Sequence, residues 1–241
     1  MTTAHPRPAA TVILVRPGNP EPEILLMKRS AQAKFMPNAF VFAGGAVDGE
    51  DETPDVRTKC SPPDDVQASS LMGLPVGGQG YFIAAVREAF EECGLLLAYD
   101  GAGELVDLSG WDPSTLRKLR EDLSSGADTL SAICAAHGWR LALDHLSYFA
   151  HWVTPATMPR RFDTRFFLAV APPKQVASLA AQEMSELCWR TAAQALKDAA
   201  DGKILLMSAT KANLNEISQF PSMEALLAYA QGPRTIQSVR P

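Results

Sequence analysis

Long apolar runs are missing from this chain. No stretch approaches the ~20 residues that a membrane-spanning helix needs, so no membrane partner is expected. The start, MTTAHPRPAATVILVRPG, holds only a short apolar run that stops at Arg16 and Pro17, which does not read as a signal peptide. The end, QSVRP, is not a peroxisomal tripeptide. Cysteine is sparse: Cys60, Cys93, Cys134 and Cys188 are scattered, with no CxxC and no zinc-like pairing with the four histidines. These absences lead us to expect a cytoplasmic protein with reduced, mostly buried thiols. Positive charge is also in deficit. A net charge of −5 supplies no global basic field, so no nucleic-acid partner is expected. Internal repeats and coiled-coil heptads are absent as well.

What remains is globular in composition: 46% hydrophobic and 20% charged over 241 residues, enough for one large domain or a domain with an appendage. Thr11–Val15 and Glu23–Met27 are branched apolar runs split by the turn-rich RPGNPEP, which predicts a hairpin. Phe40–Phe42 reads as a third strand ending at Gly44-Gly45. Asp48–Gly80 is acidic and rich in proline, glycine and serine, and is expected to be an irregular, partly mobile insertion. Helical periodicity returns over Tyr81–Cys93, where Ile83, Val86 and Phe90 form one stripe and Gly94 suits the C-terminal cap. Leu95–Ala98 reads as a strand. Pro113–Asp122, capped by Asp112, and Thr129–His137 read as helices. Leu146–Val153, Phe162–Val170 and a short Leu187–Trp189 are expected strands; Ala192–Ala200, Ala212–Gln219 and Met223–Gln231 are expected helices. The order implies an α/β domain with a mixed sheet.

The stretch REAFEECGL, Arg87–Leu95, concentrates negative charge. Glu88, Glu91 and Glu92 stand at i, i+3 and i+4 and share a helix face, where like charges repel. By itself this is either a solvated face or a site for a hard cation such as Mg²⁺ or Mn²⁺, which prefer carboxylate oxygens.

The surroundings resemble the Nudix hydrolase box, G-x5-E-x7-R-E-U-x-E-E-x-G-U, with U aliphatic. Arg87, Glu88, Ala89, Glu91, Glu92, Gly94 and Leu95 fit its second half without a gap. Gly45 leads the first half, and Asp51 stands where the family has glutamate. The pattern sets the arginine 14 residues after the leading glycine; Gly45 and Arg87 are 42 apart, an excess of 28 that must loop out, with VGGQG before Tyr81 as the flexible joint. The resemblance implies a Nudix fold, a mixed β-sheet sandwiched between helices. It implies a single domain over residues 1–241, with an insertion at about 49–80, a helical insert at about 112–138 and C-terminal helices at about 212–231. It further implies Glu88, Glu91 and Glu92 as ligands of Mg²⁺ or Mn²⁺, with Glu88 as ligand or base and Arg87 as an orienting partner. Asp51 is a candidate additional acid. So are Glu183 and Glu186, because Nudix enzymes often bring one more glutamate to the site from a late loop or strand.

Leu25–Gly45, LLMKRSAQAKFMPNAFVFAGG, is similar to the segment preceding the box in coenzyme A diphosphatases, roughly LLTxRSx3Rx3Gx3FPGG. Met27, Lys34, Asn38 and Ala43 replace threonine, arginine, glycine and proline of that pattern. His151–Val170 and the two insertions resemble the long Nudix branch of the nudix motif 19 type. The implied reaction is hydrolysis of the diphosphate of coenzyme A or acyl-coenzyme A, to 3′,5′-ADP and (acyl-)4′-phosphopantetheine. Alternatives are an ADP-ribose or NADH diphosphatase, or a non-catalytic ligand-sensing Nudix domain. Substrate contacts are expected from Arg29, Lys34, Gly44 and Gly45. One of Arg160, Arg161 and Arg165 is also expected there, since guanidinium forks suit phosphate oxygens. The partner is a small nucleoside diphosphate derivative. A homodimer through the helical insert is expected by analogy alone.

Overall fold

The computed structural model describes residues 5–33, 36–179 and 184–241, so Lys34 and Glu183 lie outside the described residues. Strands β1 (Arg7–Arg16) and β2 (Glu23–Arg29) form the expected antiparallel hairpin. They pair directly only where Val15 and Arg16 face Ile24 and Glu23. The chain returns to fill the fork between them: β3 (Ala39–Val41) adds to β2, and β4 (Ala43–Ala46) adds to β1. Gly44 and Gly45 therefore lie within a strand, opposite Thr11 and Ala10, and do not terminate one.

Helices α1 (Pro54–Arg57), α2 (Asp65–Met72) and α3 (Gly78–Cys93) follow. Next come β5 (Ala98–Tyr99), α4 (Pro113–Ser125), α5 (Leu130–His137) and β6 (Arg140–Leu141), with β5 and β6 paired. The main sheet resumes with β7 (Ser147–Val153), β8 (Phe162–Val170) and β9 (Met184–Thr191). Then come α6 (Ala192–Ala200), β10 (Leu205–Leu206), α7 (Ser208–Ile217), α8 (Met223–Gln231) and β11 (Ser238–Val239). The sheet is mixed: β8 runs parallel to β1, while β7 opposes β8 and β9 opposes β2.

Strand alternation sends side chains to two opposite cores. Ala10, Val12 and Leu14 of β1 pack with Phe82, Val86 and Phe90 of α3. Ile13 and Val15, with Ile24 and Leu26 of β2, pack with Ala195, Leu214 and Leu226 of α6 to α8. The sheet is thus sandwiched between helices, as the sequence implies. Among the described residues no helix is long and apolar enough to cross a membrane. Cys93 and Cys134 are buried, Cys60 and Cys188 half-buried, and all four are free thiols.

Three local expectations need correction. The stretch from Asp48 to Gly80 is not wholly irregular: a 3-10 turn at Gly49–Glu52, α1, α2 and the start of α3 fall within it. Asp64 caps α2 in a reciprocal box with Gln67, at 2.8 and 3.0 Å. The next residue, Asp65, accepts from the backbone N–H groups of Gly77 and Gln79 at 3.0 and 3.1 Å. Those donors open α3, where orphan N–H groups and the helix dipole favour an acid. Burial works against its charge, yet these bonds hold the Asp65 carboxyl below its ordinary value. VGGQG is accordingly no flexible joint. A Cβ on Gly78 would come within 2.3 Å of the Ser69 nitrogen, so glycine there permits the close crossing of α2 and α3. Finally, Leu95–Leu97 forms no strand. Its polar backbone is satisfied elsewhere: Leu96 N–H donates to Gln175 Oε1 at 2.8 Å, and Gln175 Nε2 donates back to Leu96 O at 3.0 Å. β9, in contrast, is longer than Leu187–Trp189 because it pairs with the whole of β2.

Candidate active site

Arg87 is the hub of the acidic helix. Burial in α3 leaves its guanidinium little water, and acids replace the lost solvation. Nε and Nη2 donate to the two oxygens of Asp51 at 2.9 and 3.0 Å, a bidentate fork. Nη2 also donates to Ala46 O at 2.9 Å, and Nη1 to Glu88 Oε1 at 3.0 Å and Glu91 Oε1 at 3.3 Å. Asp48 lies 3.7 Å from Nη2. The pair Asp51–Arg87 therefore closes the loop that separates the two halves of the box. Asp51, shorter than the family's glutamate, reaches Arg87 from a 3-10 turn (Gly49–Glu52) in which it also accepts from Asp48 N–H at 2.9 Å.

The double glycine serves the same cluster. The Gly44 N–H donates to Glu92 Oε2 at 2.9 Å. A Cβ on Gly45 would stand 2.3 Å from Glu88 Oε1, so any side chain there would displace that carboxylate. Gly44 and Gly45 thus hold Glu92 and Glu88, which their position in the sequence did not reveal.

Burial pushes the Glu88 carboxyl up to about 7, with Glu91 adding repulsion and Arg87 opposing both. Burial likewise raises Glu91 and Asp51 above their ordinary values, against the pull of Arg87. Four carboxylates share one guanidinium, and Glu92 stands one residue beyond Glu91. Among the described residues, no three acidic, histidine or cysteine side chains converge as a ready metal cage. Arg87 draws Glu88 and Glu91 to itself. The donor set nonetheless fits a hard divalent cation: the ligands are all oxygen, the negative charge exceeds the positive, and burial makes that excess costly.

The other end of α3 is held by a residue with no local mark in the sequence. Arg120 of α4, buried, donates from Nε and Nη2 to the Glu91 carbonyl at 3.2 and 3.0 Å. It also donates to Ser178 Oγ and O, both at 2.9 Å. A cation on the last carbonyls of a helix complements its dipole, so the helical insert fixes the end that carries Glu91 and Glu92.

The remaining candidates lie elsewhere. Arg29 ends β2, and its carbonyl accepts from Asn38 N–H at 3.2 Å. Asn38 has φ +63°, the left-handed region that asparagine tolerates, so it does the work of the glycine it replaces. Glu186 faces Lys28 across β2 and β9, with an ion pair at 4.0 Å, and is not among the partners of Arg87. Arg161 donates to Thr154 O at 3.1 Å. Arg165, on β8, contacts Asp163 and His151 and lies over the Tyr81 ring at 5.4 Å. His151 Nε2 in turn meets Asp163 Oδ1 at 2.6 Å, so the histidine is satisfied.

Comparison with known proteins gives the family and the fold. The family described as the NUDT19 Nudix domain matches residues 57–216. Acyl-coenzyme A diphosphatase NUDT19 of Xenopus laevis is 28% identical over 234 residues, covering 85% of this chain and 62% of that protein. The human protein of the same name is 27% identical over 263 residues, covering 90% and 67%. The chain thus spans less than two thirds of the Xenopus relative's length. The crystal structure of a NUDIX hydrolase from Alicyclobacillus acidocaldarius superposes with a TM-score of 0.78 at 30% identity, covering 96% of this chain and all of that one. The matched family, the fold and the reunited halves of the box lead to one conclusion: this chain belongs to the Nudix hydrolases, in the NUDT19 branch.

Proposed function

We propose that the chain hydrolyses the diphosphate linkage of coenzyme A or acyl-coenzyme A, releasing 3′,5′-ADP and (acyl-)4′-phosphopantetheine. The observation that carries the chemistry is the surplus of carboxylates around Arg87. The substrate class follows the relatives named acyl-coenzyme A diphosphatase. On this reading Glu88, Glu91 and Glu92 hold Mg²⁺ or Mn²⁺. A bound divalent ion would neutralise diphosphate oxygens and lower the pKa of the attacking water. Arg87 orients Glu88 and Glu91, Asp51 anchors Arg87, and the Gly44 N–H holds Glu92. Glu88, buried against Gly45, is suited to hold a proton near neutral pH and so to act as base when not a ligand.

The test is product release with Mg²⁺ and Mn²⁺ against coenzyme A, an acyl-coenzyme A, ADP-ribose and NADH. Preference for coenzyme A species is expected. Preference for ADP-ribose or NADH would keep the diphosphatase chemistry and refute the substrate. Metal binding with no turnover on any of them would favour a ligand-sensing domain. Glu92→Gln is expected to cut kcat about a hundredfold or more with the fold intact. Unchanged turnover would refute the site.

A further inference from the structure

Beside the acidic cluster lies a cleft of about 350 Å³ that the Nudix box alone does not account for. Its inner wall is Asp51, Arg87 and Glu91, shared with the candidate active site. Its outer wall is the end of α4 and the turn into α5, from Leu123 to Ser131, supplied by the helical insert. Two ties hold that wall in place. Arg120 clamps α4 to the Glu91 carbonyl, and the Ser131 hydroxyl contacts Asp55 of α1.

The lining decides what fits. Asp48, Glu50 and Asp128 add three more carboxylates to those of Asp51 and Glu91. The one cation in the lining among the described residues, Arg87, is already committed to Asp51, Glu88 and Glu91. A phosphate monoester placed here would meet repulsion and find no positive partner. Val56, Leu123 and Leu130 contribute apolar surface, and Ser124 and Ser125 stand exposed at the rim. Carboxylate acceptors beside a little apolar surface and a few hydroxyls suit an uncharged chain whose amide N–H and hydroxyl groups donate.

We propose that this cleft takes the uncharged arm of the substrate, the pantetheine side of the diphosphate, and that the α4–α5 turn sets specificity for it. The 3′-phosphate end then points away from the helical insert. This assignment rests on the proposed coenzyme A reading, and its test separates the two.

Ser124→Trp places a bulky ring at the exposed rim without altering the core. Two substrates are compared, coenzyme A and the methyl ester of adenosine 3′-phosphate 5′-diphosphate, which keeps the charged end and lacks the arm. The expected result is a fall of about tenfold or more in the kcat/KM ratio of coenzyme A to the methyl ester, carried by KM. An unchanged ratio would overturn the assignment. Pantetheine alone, followed by saturation-transfer NMR without metal, gives a readout independent of turnover. Contact with the wild type that weakens in Ser124→Trp supports the assignment, and contact equal in both overturns it. Failure of the wild type to cleave coenzyme A would refute the parent reading, and the pantetheine experiment would still decide whether the cleft takes the arm.

Discussion

Arg87 and Arg165 are both buried arginines beside acids, but the balance of charge differs. Arg165 meets one carboxylate, Asp163, with His151 completing the contact and the Tyr81 ring above. Burial works against Asp163, yet its bonds to His151 and Arg165 hold its carboxyl below the ordinary range. That cluster is matched in charge, although Arg165 Nε is buried without a hydrogen-bond partner among the described residues. Arg87 serves four carboxylates and cannot balance them. A buried surplus of charge is expensive unless a ligand offsets it. The charge balance thus separates an arginine with one acid from an arginine with a surplus of acids.

The comparison is broken most directly at its hubs. Arg87→Met would strip Asp51 of its bidentate partner, and a loss of about 3–5 kcal/mol in urea unfolding is expected. If the surplus is real, Mn²⁺ will restore part of that loss, because a ligand that binds only the folded state stabilises it. Arg165→Met is expected to cost less, about 2 kcal/mol, since Asp163 keeps partial access to water and its contact with His151. A larger loss at Arg165 than at Arg87 would invert the ranking.

Asp65 sharpens the same contrast at the end of α3. Asp65→Ala is expected to cost about 1 kcal/mol, the worth of a helix cap. Its folded pKa is depressed, so its contribution is full above the ordinary carboxylate range and is lost as pH falls through the folded value. The stability difference between wild type and Asp65→Ala should therefore shrink on acidification, as urea titrations at several pH values would show. The smallest effect is expected at Asn38. Asn38→Gly should change stability by only a few tenths of a kcal/mol, whereas Asn38→Val should lower it by about 1–2 kcal/mol, because β-branching opposes a positive φ.

What could be read from the sequence was what is local. Asp112 before Pro113 and Gly94 after Cys93 mark their helices and stand where expected, while Thr129, read as the first helical residue, is the cap of its helix. The run Arg87–Leu95 is likewise a local motif. The insertion is visible in the sequence but its helices are not, because an acidic, proline-rich composition masks the reciprocal cap of Asp64 with Gln67. Other features depend on distant partners. Nothing near Arg120 announces that it will meet the Glu91 carbonyl, whereas Asp51 is brought toward Arg87 only by the resemblance that sets it at the glutamate of the box. Arg165 is a candidate phosphate ligand in the sequence because guanidinium forks suit phosphate oxygens; the fold sets Asp163 and His151 against it.

The surplus of carboxylates at Arg87 is best tested by titrating Mn²⁺ into the wild type and into Glu92→Gln, following free Mn²⁺ by its paramagnetic resonance signal. The structure predicts saturable binding to the wild type that weakens at least about tenfold in the variant. Equal binding by the two proteins, or none by either, would contradict it.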